Sequence, residues 1–138
     1  MYKQSLRLHL KHNLRLRLKF WGKVRSHNKR GKRLGFPTAN VNLNQSIPEG
    51  IYISLTKIKG GLYPSLTFIG QAKTFVEAAF LSETFILDFD QNLYNEWISV
   101  KLIKKIRANK KFKSEKELIE QMKRDKEEAI NYFKSIKI

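Results

Sequence analysis

Residues 26–40 gather side chains suited to holding a phosphate and a hard metal ion. Lys29, Arg30, Lys32 and Arg33 supply positive charge, and Gly31 and Gly35 let backbone N–H groups come close to an anion. Pro37 fixes φ just ahead of Thr38 and Asn40, two neutral oxygen ligands of the kind Mg2+ accepts. In extended chain, residues two apart project to the same side, so both oxygens can reach one ion. The familiar phosphate loops are absent. A Walker A loop ending at Gly31-Lys32 needs Gly at 26 and Ser or Thr at 33, where this chain has Ser26 and Arg33. No G-x-G-x-x-G occurs either. Taken alone, the segment also reads as a Pro-initiated turn whose Thr and Asn bond locally.

Two further segments bear chemistry. Glu83 precedes the apolar run Ile86-Leu87-Asp88-Phe89 and reads as a carboxylate at the head of a strand. Glu77 lacks such a run at that spacing. Arg107 and Phe112 lie in the stretch Ile106-Arg107-Ala-Asn-Lys-Lys-Phe112, a planar cation and a ring beyond a strand pattern. His9, His12 and His27 form no metal spacing with an acidic partner.

In order and register, these motifs resemble the riboflavin kinase (flavokinase) family. Its pattern runs G-x-x-LGxPTAN, then Glu-x-x-(apolar)-(apolar)-D-F-x-x-x-(F/L)-Y, then (L/I)-R-x-x-x-x-F. The chain matches with Gly31 to Asn40, Glu83 to Tyr94 and Ile106 to Phe112, and the resemblance extends from about Gly22 to about Phe133. It implies an ATP-dependent transfer of phosphate to the ribityl 5′-hydroxyl of riboflavin, giving FMN. It also implies roles: Glu83 as the base, Gly31, Lys32, Gly35, Pro37, Thr38 and Asn40 at the nucleotide, Thr38 and Asn40 at Mg2+, and Arg107 and Phe112 at the flavin. Asp88 and Tyr94 read as structural, a turn cap and a barrel aromatic. The chain departs from the family at Lys73, where a Pro-containing triplet is usual, and at His27 and Asn95, both usually Gly. None of these changes removes a group from the mechanism. In many bacteria the domain follows an adenylyltransferase; nothing in these residues supplies that activity, so FMN synthesis alone is expected.

The elements that must position these groups are mostly strands. Leu6 to Val24 alternates apolar and basic residues at period two and scatters as a helix, unlike an organelle transit peptide. Ser26 to Asn40 reads as a loop. Ile47 to Ile58 reads as a strand entered through Pro48-Glu49-Gly50, and Lys59-Gly60-Gly61 as a hairpin turn leading to a strand over Tyr63 to Gly70. A loop is expected over 71–82, then strands over Glu83 to Phe89 and Trp97 to Arg107. Ser114 and Glu117 form a capping box that opens a helix over 114–134 with an apolar stripe of Leu118, Met122, Ala129 and Phe133. About six short strands with turn signals predict a mostly β fold, a small closed antiparallel barrel with a C-terminal helix. The resemblance adds Greek-key order.

Composition sets the remaining bounds. At 138 residues with 41% hydrophobic content, 1–138 reads as one domain, with a basic N-terminal strand region over 1–20. Zero cysteines exclude disulfides and thiolate chemistry. No run of 18 apolar residues and no secretory leader is present, so a cytoplasmic monomer acting on ATP and riboflavin is expected, with no membrane partner. The net charge of +16 favours polyanions, and no Asp or Glu precedes Glu49. A nucleic-acid-binding barrel is therefore the main rival. Against it, aromatic and basic residues do not interleave along a strand, Phe20-Trp21 excepted. A flavin-binding protein of the same fold without turnover is the other alternative.

Overall fold

The computed structural model describes residues 18–27, 35–73 and 78–136. Most of the basic N-terminal alternation lies outside them, as do Gly31 and Lys32. The described chain forms β1 (Lys19–Lys23), β2 (Ser26–His27), β3 (Ala39–Leu43), β4 (Gly50–Ile58), β5 (Gly61–Lys73), β6 (Ala78–Ile86), β7 (Trp97–Arg107) and α1 (Glu115–Ser135). Six strands have five or more residues, and all pair antiparallel in the order β1-β7-β4-β5-β6-β3-β2. The chain at 24–25 then joins the sheet's two edges. Val24 N–H donates to Glu96 O and Arg25 N–H to Asn40 O, each at 2.9 Å. Gly22 permits this closure, because a Cβ there would sit 2.5 Å from Val41 Cγ1.

Both sides of β4 are buried, for different reasons. Tyr52 and Ile58 turn into the barrel with Val41, Ile69, Ile98, Val100 and Leu102, while Ile51, Ile53 and Leu55 turn outward under the helix. Each fully buried aliphatic side chain contributes about 1.5–3 kcal/mol. Between them, the barrel holds hydroxyls that satisfy one another. Ser54 Oγ lies 2.7 Å from Ser65 Oγ and 2.8 Å from Thr67 Oγ1, and Thr67 and Thr84 meet at 3.1 Å.

The helix starts as its cap predicts: Glu117 N–H donates to Ser114 Oγ, and Lys113 N–H to Glu117 Oε2. Met122, Ala129 and Phe133 are buried and Leu118 half-buried. The same stripe also buries a carboxylate, Asp125.

Several expectations need correction. Residues 71–73 and 78–82 are strand, not loop, because β5 and β6 extend one long hairpin through pairs such as Gln71–Phe80. Glu83 is therefore in the middle of β6, not at a strand head. The strand expected to run to Phe89 stops at Ile86, where Leu87-Asp88 turn with Asp88 at φ 53°. The loop expected over Ser26 to Asn40 contains strand at both ends, since Ser26 and His27 pair with Asn40 and Ala39. Tyr94 is 53% exposed and so is no barrel aromatic. Asn95 does adopt the left-handed backbone (φ 69°) that a Gly would supply.

Candidate active site

The cross-strand register assembles the site. Asn40 on β3 pairs with Glu83 on β6, Glu83 with Phe68 on β5, Phe68 with Ile51 on β4, and Ile51 with Arg107 on β7. One row of side chains thus crosses five strands on the barrel's outer face, and all five line a cavity of about 800 Å3. That volume suits a molecule of cofactor size.

Each end of the row is fixed by its neighbours. At the β3 end, Phe36 is buried edge-on against Phe85 with ring centroids 5.4 Å apart, which pins the segment Gly35 to Asn40. Gly35 takes φ 89°, a conformation open to Gly and strained for most residues, and it is exposed, as is Pro37. Thr38 is 3% exposed, and its hydroxyl donates to Asn40 Oδ1 at 3.4 Å. The two oxygens converge, as the spacing predicts. Adjacent ligands of an octahedral Mg2+ are about 2.9 Å apart, so a small adjustment would bring both onto one ion. Among the described residues no cluster of three or more His, Cys, Asp or Glu could hold a metal.

At the β7 end, Arg107 is the last strand residue, as expected. Its Nε donates to Asp125 Oδ1 at 2.9 Å and its Nη2 to Asp125 Oδ2 at 2.7 Å, while Nη1 reaches Ala108 O at 3.2 Å. Gln121 Nε2 donates to Asp125 Oδ1 at 2.9 Å. Three of its five N–H donors are thus engaged, and its Cζ lies 6.0 Å from the centroid of the Phe112 ring. The segment after β7 is held against the barrel where Asn109 Nδ2 donates to Ile69 O at 3.1 Å and to Glu49 Oε2 at 3.3 Å. Lys110, Lys111 and Phe112 join the lining. On the floor, a Cβ at Gly70 would meet nothing within 4 Å. Its missing side chain leaves room for a ligand.

The structure brings Asn40, Glu83 and Arg107, singled out by the sequence, into one row, whose middle the sequence does not single out. Phe68, Ile51 and Gly70 are unremarkable until the register is known. Asp125 did leave a signal, a charge at a position belonging to the helix's apolar stripe.

A half-buried carboxylate, two convergent neutral oxygens and an aromatic-lined cavity thus meet on one face of a small antiparallel barrel. The Flavokinase (riboflavin kinase) family model matches residues 14–133, and the chain belongs to that family. It is 40% identical over 116 residues to the bifunctional riboflavin kinase/FMN adenylyltransferase of Bacillus subtilis, covering 80% of this chain and 37% of that protein. The chain thus spans less than two fifths of that relative's length. Among solved structures, one described as a macrolide-efflux protein from Streptococcus pneumoniae superposes with a TM-score of 0.74 at 34% identity, over 83% of this chain and 39% of that one. Riboflavin kinase from Trypanosoma brucei shares the fold with a TM-score of 0.60 at 22% identity, over 84% of this chain and 79% of that one.

Proposed function

We propose that this chain is an ATP-dependent riboflavin kinase, transferring the γ-phosphate of ATP to the ribityl 5′-hydroxyl of riboflavin to give FMN and ADP. The row Asn40–Glu83–Phe68–Ile51–Arg107 carries this reading, because it sets a carboxylate between an oxygen-ligand pair and an apolar cavity.

Phosphoryl transfer asks a protein mainly for position and charge. Phe68, Ile51, Leu118 and Phe112 supply the apolar walls for the isoalloxazine ring, with the Arg107 guanidinium beside Phe112. Asn40, directly across from Glu83, puts the phosphate side of the site next to the base. Glu83 orients the ribityl hydroxyl and accepts its proton as the bond to phosphorus forms and the bridge to ADP breaks. Thr38 and Asn40 would hold Mg2+ with the nucleotide phosphates, and the ion would neutralise charge building on the transferred group. Gly31 and Lys32, outside the described residues, and Gly35 and Pro37 are assigned to the nucleotide with them.

Among the described residues no helix is long and apolar enough to cross a membrane. We assign the enzyme to the cytoplasm, where ATP is supplied, and to a monomer, since one chain carries the whole row. Incubating the protein with riboflavin, ATP and Mg2+ and separating the flavins by chromatography tests the proposal. FMN that depends on all three is expected. Riboflavin binding without FMN would instead identify a flavin-binding protein of the same fold.

A further inference from the structure

The far end of β7 carries a surface that flavin phosphorylation does not use. Trp21 on β1 and Trp97 on β7 are 68% and 62% exposed. In the β1–β7 register Trp21 faces Ser99 and Lys23 faces Trp97, so the two indoles are diagonal neighbours on one outer face. Lys19 stands directly opposite Lys101, and Lys57 on β4 pairs with Ser99. Lysines therefore flank the indoles along β1 and across to β4 and β7. The acidic residue at this end, Glu96, is engaged by Lys59 at 3.6 Å. At about 3.4 Å per residue, Trp97 and Arg107 stand up to about 34 Å apart.

Two features of this face are unfavourable in the protein alone. Large indoles meet water, and like charges oppose each other directly across a strand pair, which destabilises the pair. A single class of ligand relieves both: a polyanion that also carries flat apolar groups. We propose that the outer face of β1 and β7 binds single-stranded nucleic acid, with bases stacked on Trp21 and Trp97 and phosphates met by Lys19, Lys23, Lys57 and Lys101. The interleaving of Lys19, Trp21 and Lys23 on β1 is extended across the strand pair, where Lys23 faces Trp97 and Lys19 faces Lys101. The chain's +16 charge adds long-range attraction for the same partner. A lipid surface fits less well, since the aliphatic neighbours Leu55, Ile98 and Val100 are buried and cannot insert. A second copy would set lysine against lysine.

The chain's two tryptophans both lie on this face, so intrinsic fluorescence reports on it alone. The full chain should be titrated with a labelled oligouridine of about twelve nucleotides, within the footprint of such surfaces. Tryptophan quenching in step with rising anisotropy of the label is expected. Trp21→Ser and Trp97→Ser should each weaken binding about 5-fold or more, with Phe at either position restoring part of it. The log of the affinity should fall against log salt with a slope of about −3, reduced by about 1 in a Lys19→Gln/Lys101→Gln variant. FMN formation should be unchanged in every variant. Binding that survives both Trp→Ser changes would reduce the effect to bulk charge and overturn the proposal. So would absence of quenching, preferential quenching by vesicles containing anionic phospholipid, or a dimer in sedimentation that dissociates on Trp97→Ser.

Discussion

Arg107 and Asp125 are joined by two parallel hydrogen bonds, 2.9 and 2.7 Å long, between the last residue of β7 and the middle of α1. Asp125 is 2% exposed, so this carboxylate is held almost wholly out of water and depends on its partners. The pair ties the helix to the barrel at the end of β7.

Breaking such a pair from one side leaves a buried charge without compensation, at a cost of about 3–5 kcal/mol. Asp125→Ala should therefore lower the melting temperature by about 10 °C or more. Asp125→Asn keeps one acceptor and should lose less stability. In both, the folded fraction should show a raised Michaelis constant for riboflavin, because Arg107 is no longer oriented. Circular dichroism melts and steady-state kinetics check the two halves separately. A melting temperature unchanged in Asp125→Ala would contradict the buried-pair account.

Glu83→Gln keeps shape and removes proton acceptance. The catalytic rate should fall about 10²–10⁴-fold with riboflavin affinity nearly unchanged. Wild-type turnover in this variant would remove Glu83 from the role of base.

Gly70 offers a steric test. Valine suits a strand, and the position is open, so Gly70→Val should leave the melting temperature unchanged or raised. Its methyls would enter the cavity, and riboflavin affinity should drop at least about tenfold, the scale of a 1.4 kcal/mol loss. Undiminished riboflavin affinity, read by flavin fluorescence quenching, would place the flavin elsewhere.

Alkaline stability follows from Tyr52. Burial raises its phenol above the ordinary value near 10, and its hydroxyl donates to Pro48 O at 2.6 Å. Burial raises Tyr132 in the same direction. Above about pH 10 the unfolded chain releases these protons while the folded chain retains them, so the folded state binds more protons and stability falls as pH rises. Below that range the contribution is complete. Denaturant midpoints between about pH 8 and 11 should decline at the alkaline end, less steeply in Tyr52→Phe. A flat profile in the wild type would contradict the sign.

What the sequence displays is local. The capping box at Ser114 and Glu117, the Lys59-Gly60 turn and the strand segments that become β4 and β7 each lie within about a dozen residues, and all are found in the fold. The β5–β6 extension was not legible. Ala78-Ala79 has little strand preference, Phe80-Leu81 breaks alternation, and only pairing across the hairpin makes these residues strand. The site divides the same way. Thr38, Asn40, Glu83 and Arg107 sit in recognisable spacings, whereas Ile51 and Phe68 join them only through the register. Tyr94, assigned to the barrel by position, is outside it.

We propose that Thr38 and Asn40 hold the nucleotide and its metal, with Asn40 at the edge of the cavity that takes the flavin. The most direct test measures two affinities in two near-isosteric variants, Thr38→Val and Asn40→Leu: riboflavin by flavin fluorescence quenching without nucleotide, and Mg-ATP by equilibrium binding. The account predicts riboflavin affinity near wild type in both, with Mg-ATP affinity and FMN formation falling together. Intact Mg-ATP affinity in the folded fraction, with only a lowered melting temperature, would contradict it and reduce both residues to turn stabilisers.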